Sequence, residues 1–378
     1  MRVTDIDNKN QNPTVWKALQ GVSDRSADNP LTISIVIPVY NGGEKFRHCL
    51  ETVSALQPAP LELIVVCDGD TDGSADMARQ FNAHVIRLAE RGGPARARNE
   101  GAWRARGEIL LFIDADIAVP PDLLRRVAEG FDDAPHAAAI IGSYDRDPAA
   151  PGVISQYKNL LHHYVHQQSN EEAMTFWGAC GAIRRDVFSA MGGFDERYRR
   201  PCVEDIDLGY RLRAASHPIR LHKTLQVKHL KSWRFVSLLR SDIHDRALPW
   251  TELLMRHRVF RNDLNLRYSD RLSTIAVLAL LPTTALVAWS PAMLIVPASL
   301  VLLLLMLNAR LYRFFIAQRG LVFALTVIPL HWLSFAYGGL AFAAGLLRYG
   351  LVPRLTMFFR AMIARTSKSA SIGSGSRS

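Results

Sequence analysis

An uncharged run of 38 residues between Arg271 and Arg310 is the feature that most limits the folds open to this chain. As a helix rising about 1.5 Å per residue it would extend roughly 57 Å, nearly two crossings of a ~30 Å hydrocarbon layer. Trp289–Pro291 interrupts the run, which predicts a helical hairpin over 272–307. The alternative is a pair of buried core helices, but Val301–Leu307 is apolar on every face, as is typical of a helix in lipid.

A second uncharged stretch runs from Gly320 to Leu347 and predicts a further membrane segment over 321–347. Arginines lie on both sides of it, and the positive-inside rule would place both groups in the cytoplasm. A single crossing would violate that rule. A re-entrant segment and an external C-terminus both remain open, so the whole transmembrane region is taken as 271–350.

The positive charge is concentrated at the C-terminal end of the chain. The formal net charge is +10, and all of it arises after Leu264, where eleven Lys and Arg residues face one acid. Residues 1–264 carry 34 basic and 34 acidic groups. A nucleic-acid-binding protein would carry its charge on a folded face between aromatic residues. In this chain the cations instead flank apolar segments. This pattern predicts that membrane lipids are partners and that nucleic acids are not.

The N-terminus and the cysteines point to a cytoplasmic setting. Residues 1–30 are polar, lack the apolar core of a signal peptide and are predicted to form a flexible tail. The four cysteines are far apart and form no CxxC pair, so we expect reduced thiols rather than a disulfide framework or a metal ribbon.

Residues 31–145 alternate apolar runs with helical patterns. Continuous β-branched runs without polar alternation suit strands covered on both faces, and helices between them produce βαβ units. The sequence therefore predicts an α/β fold with a mostly parallel sheet. The predicted strands are 33–37, 61–66, 84–88, 109–113 and 137–141, and the predicted helices are 44–56, 73–81, 94–106 and 121–131.

Polar residues follow three of these strands. Pro38 and Tyr40 end the first, Asp68 ends the second, and Asp114 and Asp116 end the fourth. Ligands of such sheets bind beyond the carboxyl ends of the strands. Two acids at i and i+2 in a turn can face one Mg²⁺ or Mn²⁺ ion, although a solvated turn is the commoner explanation of Asp-x-Asp alone.

The helix after Gly92–Pro94 carries Arg98 near its N-terminus. A glycine-led helix start favours a phosphate, whereas an ordinary capped helix with solvated arginines is the alternative. Neither a GxGxxG nor a GxxxxGK[ST] motif is found, so the sequence supports neither a dinucleotide site nor a P-loop.

Six motifs in order resemble the family 2 glycosyltransferases of GT-A fold, over roughly residues 31–230. They are Ser34–Gly42 (SIVIPVYNG), Val65–Ser74 (VVCDGDTDGS), Ala97–Gly101 (ARNEG), Phe112–Asp116 (FIDAD), Met191–Glu196 (MGGFDE) and Glu204–Leu208 (EDIDL). The resemblance implies an inverting transfer of a sugar from a nucleotide diphosphate donor. It also implies a divalent metal, Mg²⁺ or Mn²⁺.

The resemblance assigns roles to individual residues. Pro38, Tyr40 and Asp68 match the part that binds the nucleotide base, and Asp114 and Asp116 match the Asp-x-Asp pair, whose second member touches the metal. Asp205 matches the general base, and His229 falls where some members hold the metal or diphosphate. Two positions depart from the common pattern, because Cys67 replaces an acid and Asp70 replaces a serine. Both departures leave the preferred nucleoside open.

The chemistry of the reaction supports Asp205 independently. An acceptor hydroxyl is a poor nucleophile until a carboxylate removes its proton. Glu204 and Asp205 begin an apolar-periodic stretch, which places them at a helix N-terminus, where acids also occur for purely structural reasons. The Trp177–Gly181 loop falls where the family lines its acceptor pocket, although a core turn is an equal alternative.

Taken together, these features predict an enzyme anchored on the cytoplasmic face of the inner membrane as a multi-pass protein. A catalytic domain over 31–230 would precede amphipathic interfacial helices over 231–270, the transmembrane region and a basic tail over 351–378. The Gln-x-x-Arg-Trp motif of processive synthases is missing; the nearest segment is Arg246–Trp250. Transfer of one sugar to a lipid-linked acceptor is therefore favoured, with a processive synthase and a catalytically silent scaffold as alternatives.

Overall fold

The computed structural model describes residues 31–257 and 267–351. The predicted tail over 1–30 and all but the first residue of the predicted basic tail lie outside these ranges. The described residues form two compact units, each with a core of its own. The first comprises 31–143, 171–195 and 208–227, and the second comprises 144–170, 196–207, 228–257 and 267–351.

The predicted α/β fold is confirmed. The strands are β1 (Ile33–Val39), β2 (Glu62–Asp68), β3 (His84–Leu88), β4 (Ile109–Ile113), β5 (Ile117–Ala118), β6 (Ala139–Tyr144), β7 (Glu172–Ala173), β8 (Cys180–Arg184) and β9 (Ile219–His229). The helices up to residue 214 are α1 (Gly43–Ser54), α2 (Ser74–Gln80), α3 (Pro94–Arg104), α4 (Leu123–Asp133), α5 (Val153–Gln168), α6 (Arg185–Ala190) and α7 (Glu204–Ala214). All five predicted strands and all four predicted helices are present, and their ends differ from the predicted ones by at most three residues.

One sheet contains all these strands, in the order β3-β2-β1-β4-β8-β6-β9-β5, with β7 paired to β9. Strands β1 to β4 run parallel, with Val39 opposite Cys67. Strand β8 is antiparallel to both β4 and β6, so the sheet is mixed. Because β1, β2 and β4 are parallel neighbours, their carboxyl ends deliver Tyr40, Asp68 and Asp114 to the same edge.

The core of the first unit forms because β1, β2 and β4 are apolar on both faces and α3 packs closely against them. A Cβ added at Gly101 of α3 would lie 2.5 Å from the Val36 side chain, so only glycine permits this approach. On the sheet, the Phe112 ring contacts the rings of Phe176, Phe188 and Phe194 at centroid distances between 5.1 and 6.2 Å. This packing holds the strand ends rigidly in place.

The second unit is largely helical. Its remaining helices are α8 (Phe235–Arg240), a π-helical segment (Ser241–Ala247), α9 (Leu248–His257), α10 (Tyr268–Ala285), α11 (Ile295–Leu307), α12 (Ala309–Gly345) and a π-helical segment (Leu346–Leu351). Helix α12 is kinked at Gly320, whose φ of 83° lies in the left-handed region that glycine adopts without strain. The core of the second unit lies between α5 and α12 and contains Tyr157, Leu160, Leu311, Tyr312, Phe315, Ala324 and Val327.

Two of the described helical segments, Tyr268–Ala288 and Ala309–Tyr349, are long and apolar enough to cross a membrane. The predicted break at Trp289–Pro291 falls between two 3₁₀ turns, Leu286–Ala288 and Pro291–Leu294. Large apolar side chains on these segments are exposed, including Leu281, Trp289 and Val322. Large apolar side chains that are exposed along a long apolar helix suit a hydrocarbon environment.

Candidate active site

Reciprocal hydrogen bonds fasten the loop after β1 to the loop after β2. The Asn41 side-chain oxygen accepts from the Thr71 amide at 2.9 Å, and the Asp72 carboxylate accepts from the Gly43 amide at 3.0 Å. Although partial burial opposes ionisation, hydrogen bonds from the Ser74 hydroxyl and the Gly43 amide lower the pKa of Asp72. Asp72 therefore acts in the turn, and the two loops form one rigid rim.

Tyr40 presents its ring on this rim. Its side chain is 43% exposed, and the guanidinium carbon of Arg91 lies 3.9 Å from the ring centroid. Pro38 is half-buried just inside the same strand. A flat, exposed aromatic ring with a cation on one face can stack on a planar heterocycle.

Asp68 binds the loop that opens α3. Its two carboxylate oxygens accept hydrogen bonds from the backbone amides of Gly92, at 2.6 Å, and Gly93, at 2.8 Å. The side chain is buried, with 4% of its surface exposed. Resemblance to the family had suggested only a contact with the nucleotide base. The structure shows that this carboxylate also anchors the glycine loop, and it leaves one lone pair on each oxygen for a ligand.

Replacing Asp68 by asparagine should therefore destabilise the protein. An asparagine oxygen can accept only one of the two glycine amides, and its NH₂ group would face the other donor. A buried donor without an acceptor costs about 1–3 kcal/mol. We expect a lower melting temperature for Asp68→Asn in thermal unfolding. The exposed Asp76→Asn change on α2 should leave it unaltered, and equal melting temperatures for the two variants would contradict the anchoring role.

Helix α3 also contacts the end of β4. The Arg98 guanidinium donates to the Asp114 carboxylate at 2.7 Å, where Arg98 is almost completely buried and the Asp114 side chain is 33% exposed. A Cβ added at Gly178 would lie 3.0 Å from the guanidinium carbon, so this glycine leaves room for the arginine. The segment 91–98 therefore contacts Tyr40, Asp68 and Asp114, and brings the ends of three strands into one site.

Asp116 lies two residues further, in the turn between β4 and β5, and is half-buried. Burial and then the negative charges of Asp116 and Asp114 raise the pKa of the Cys49 thiol, which shows the anionic character of this corner. No cluster of three or more Cys, His, Asp or Glu side chains that could hold a metal is found among residues 31–257 and 267–351. Asp116 fits a divalent cation only as one ligand beside substrate phosphates, which is how Mg²⁺ is usually held.

In the second unit, Asp205 is the second residue of α7, where the helix dipole favours a negative charge. The neighbouring acids of the same helical turn contact other parts of the protein. Glu204 is 4% exposed and accepts a hydrogen bond from the Cys202 amide at 2.8 Å, and the buried Asp207 lies 3.4 Å from His257. Asp205 is half-buried, and its carboxylate accepts a hydrogen bond from the Ile206 amide at 2.8 Å.

His229 lies at the end of β9 and is buried in an aromatic cluster of the second unit. Its ring stacks on Tyr144 with 4.3 Å between centroids, and Tyr144 in turn contacts His162. The Nε2 atoms of His162 and His166 are 3.0 Å apart, and burial lowers the pKa of His162 well below its ordinary value. The proposed metal contact of His229 stays a prediction.

Asn99 supports the site, although only its neighbour Arg98 is among the predicted binding residues. Its side chain accepts from the Phe194 amide at 2.8 Å and donates to the Phe194 carbonyl at 2.9 Å. This paired contact fastens the Met191–Glu196 motif to α3. The shared ARNEG and MGGFDE motifs were visible in the sequence, but nothing in their spacing indicated that they touch.

Residues 34–192 match the family model described as Glycosyl transferase family 2. All the donor-side groups described above, from Pro38 to Asp116, lie within this match. Over residues 34–192 the chain is therefore similar to glycosyltransferase family 2, and this match covers less than half of the chain.

Curated relatives carry glycosyltransferase names. An uncharacterized glycosyltransferase of Escherichia coli (YibD) is 37% identical over 95 residues, which cover 24% of this chain and 28% of that protein. Validoxylamine A glucosyltransferase of Streptomyces hygroscopicus subsp. limoneus is 26% identical over 231 residues, half of each chain. Undecaprenyl-phosphate 4-deoxy-4-formamido-L-arabinose transferase of Yersinia enterocolitica is 28% identical, covering 44% of this chain and 52% of that protein. The chain thus spans about half or less of the length of these relatives.

Among solved structures, a mannosyltransferase of Pyrobaculum calidifontis in complex with GDP-Man and Mn²⁺ is 15% identical. The match covers 89% of this chain and 93% of the mannosyltransferase chain, with a TM-score of 0.47. TarS of S. aureus in complex with UDP-GlcNAc is 17% identical. That match covers 60% of this chain and 65% of the TarS chain, also with a TM-score of 0.47.

Proposed function

We propose that the chain is an inverting glycosyltransferase that moves one sugar from a nucleotide diphosphate sugar to a hydroxyl of a lipid-linked acceptor. The observation that carries the proposal is the segment 91–98, whose contacts join Tyr40, Asp68 and Asp114 at one sheet edge. The match of residues 34–192 to the family 2 glycosyltransferase model supports the same reaction class.

The donor would bind along this edge. The nucleoside base would stack on Tyr40 near Pro38, with Asp68 accepting a hydrogen bond from it. Helix α3 begins at Pro94, after the N-cap residue Gly93, and the positive end of its dipole would favour the diphosphate. Arg98 would contribute indirectly by holding the Asp114 carboxylate in place.

A divalent metal, Mg²⁺ or Mn²⁺, would be held by Asp116 together with diphosphate oxygens. Asp114 would complete the contribution of the first unit, and His229 is the ligand that the family resemblance predicts from the second. When bound, such an ion stabilises the negative charge that grows on the leaving diphosphate. Because the protein offers few ligands of its own, metal binding and donor binding should depend on each other.

Asp205 would act as the general base. Its carboxylate takes the proton of the acceptor hydroxyl while the acceptor oxygen forms a bond to the anomeric carbon. The bond from that carbon to the diphosphate oxygen breaks, and the nucleoside diphosphate leaves with the electron pair. A single displacement of this kind inverts the anomeric configuration, which the coupling constant of the product's anomeric proton in NMR would report.

The lipid nature of the acceptor and the membrane location are supported by two observations. Two segments, Tyr268–Ala288 and Ala309–Tyr349, are long and apolar enough to cross a bilayer. The Yersinia relative is named for a transfer to undecaprenyl phosphate. We place the enzyme in the inner membrane with residues 31–230 in the cytoplasm, where nucleotide sugars are available.

Purified protein in detergent, titrated with UDP or GDP in the presence of Mn²⁺, tests donor binding by calorimetry. We expect binding of one nucleotide that disappears on addition of EDTA. If neither nucleotide binds, the chain is a silent scaffold of the same fold and the proposed activity is wrong.

The number of sugars added per acceptor separates a single transfer from processive synthesis. With a radiolabelled donor and membrane lipid extract, we expect one labelled product of fixed size on a thin-layer plate. A ladder of products that lengthens with time would instead show a processive synthase.

A further inference from the structure

A cavity of about 530 Å³ lies within the second unit, apart from the donor-side groups. Three stretches of chain form its walls. The loop before α7 contributes Arg200, the segment from α8 to α9 contributes Arg240 and His244, and the end of the last apolar helix contributes Arg348. The cavity therefore gathers cationic side chains that are up to 148 residues apart in the sequence.

The charges in this cavity are unbalanced. Glu252 is the acid of its lining, and Arg256 already pairs with it at 2.9 Å. Within the described part of the chain, Arg200, Arg240 and Arg348 make no ion pair with any acid. Three guanidinium groups around one cavity repel one another and attract an anion. The planar fork of arginine matches the oxygen geometry of phosphate, which makes phosphate the anion of choice.

The cavity also adjoins the candidate base. Cys202 lines it, and the Cys202 amide donates to Glu204, the residue before Asp205. Burial, followed by the charges of Glu204 and Asp205, raises the pKa of the Cys202 thiol to about 12. An anion held here would therefore lie beside the first turn of α7, where the proton of the acceptor is taken up.

The position of Arg348 indicates which phosphate compound would reach the cavity. Arg348 lies three residues after Gly345, the last residue of the long apolar helix α12. On another wall, Arg240 ends α8, whose Phe235 and Val236 side chains are exposed. A cationic cavity between an apolar helix and exposed apolar side chains suits a phosphate whose remaining part lies in lipid.

We propose that this cavity binds the phosphate or diphosphate group that links the acceptor sugar to its lipid, so that a hydroxyl of that sugar meets Asp205. The assignment rests on the proposed transferase function and adds the residues that recognise the acceptor. Arg200, Arg240 and Arg348 provide the charge, and they are binding residues rather than catalytic ones.

Binding to liposomes tests the assignment on the full chain. Detergent-purified protein is incubated with phosphatidylcholine liposomes that contain a fluorescent analogue of either farnesyl diphosphate or uncharged farnesol, and the amount of analogue that the protein retains is measured. We expect the wild type to retain the diphosphate lipid and not farnesol. The Arg240→Gln/Arg348→Gln variant should lose on the order of tenfold in affinity per arginine. Arg234→Gln, an exposed arginine outside the cavity, serves as the matched control.

Nucleotide binding is measured on the same variants, and unchanged affinity for UDP or GDP shows that they are folded. Equal retention of diphosphate lipid by the wild type and the double variant would overturn the cavity assignment while leaving the donor site intact. If inorganic pyrophosphate binds in an arginine-dependent manner but the lipid diphosphate does not, the cavity serves a free phosphate and the lipid assignment is wrong. Loss of nucleotide binding in the wild type would instead refute the proposed function.

Discussion

Replacing Asp205 by asparagine is expected to abolish sugar transfer while nucleotide binding persists. The substitution keeps the size and the hydrogen bond to the Ile206 amide but removes the basic carboxylate. A positioned general base contributes about 10²–10⁴-fold to the rate, so the turnover number should fall by that factor. Transfer to acceptor is measured at saturating donor, and nucleotide affinity is measured by calorimetry.

Glu204→Gln provides the matched control, because Glu204 precedes Asp205 on the same helical turn. Its buried oxygen accepts from the Cys202 amide, and a glutamine oxygen can do the same. Most of the activity should remain. If Asp205→Asn retains turnover while Glu204→Gln loses it, the base is Glu204 and the assignment by family resemblance is incorrect.

Replacing Asp116 by asparagine should have the next largest effect, through the metal. A neutral amide binds Mg²⁺ or Mn²⁺ much more weakly than a carboxylate, and metal stabilisation of a leaving diphosphate is worth several kcal/mol. We expect transfer to fall on the order of 10³-fold. Initial rates are measured as a function of Mn²⁺ concentration, and the variant should require far more metal to reach half of its own maximum.

Asp76→Asn, which removes an exposed acid of α2 in the same unit, is the control for this measurement and should leave the metal dependence unchanged. EDTA should silence the wild type, and added Mn²⁺ should restore it. An Asp116→Asn enzyme with an unaltered metal requirement would exclude Asp116 from the metal site. A wild type that is active in EDTA would exclude a metal from the reaction.

The elements of the first unit were predictable because their signals are local. A strand buried on both faces needs a continuous apolar run, and a helix needs a repeat of apolar residues, so both appear within a few residues of sequence. Four strands, β5, β7, β8 and β9, were not predicted. The antiparallel position of β8 beside β4 makes the sheet mixed.

The candidate site was predictable in its membership but only partly in its contacts. Parallel strands place their carboxyl ends at one edge, so Tyr40, Asp68 and Asp114 had to be neighbours once β1, β2 and β4 paired. Only the tertiary structure shows that the Asp68 oxygens bind the Gly92 and Gly93 amides. The same holds for the hydrogen bond from Arg98 to Asp114. These contacts depend on the exact distance between a helix and a strand end, on which spacing along the chain carries no information.

By itself, the sequence determined the α/β class, the acids at the strand ends and the uncharged helices near the C-terminus, because each follows from hydrophobic pattern within a short window. Only the tertiary structure decided which groups the carboxylates bind, such as the Gly92 and Gly93 amides for Asp68 and the Arg98 guanidinium for Asp114. It also brought Arg200, Arg240 and Arg348 to one cavity. Residues that are distant in the sequence become neighbours through the packing of whole helices and strands. No pattern in the sequence therefore indicated that these three arginines lie around one cavity.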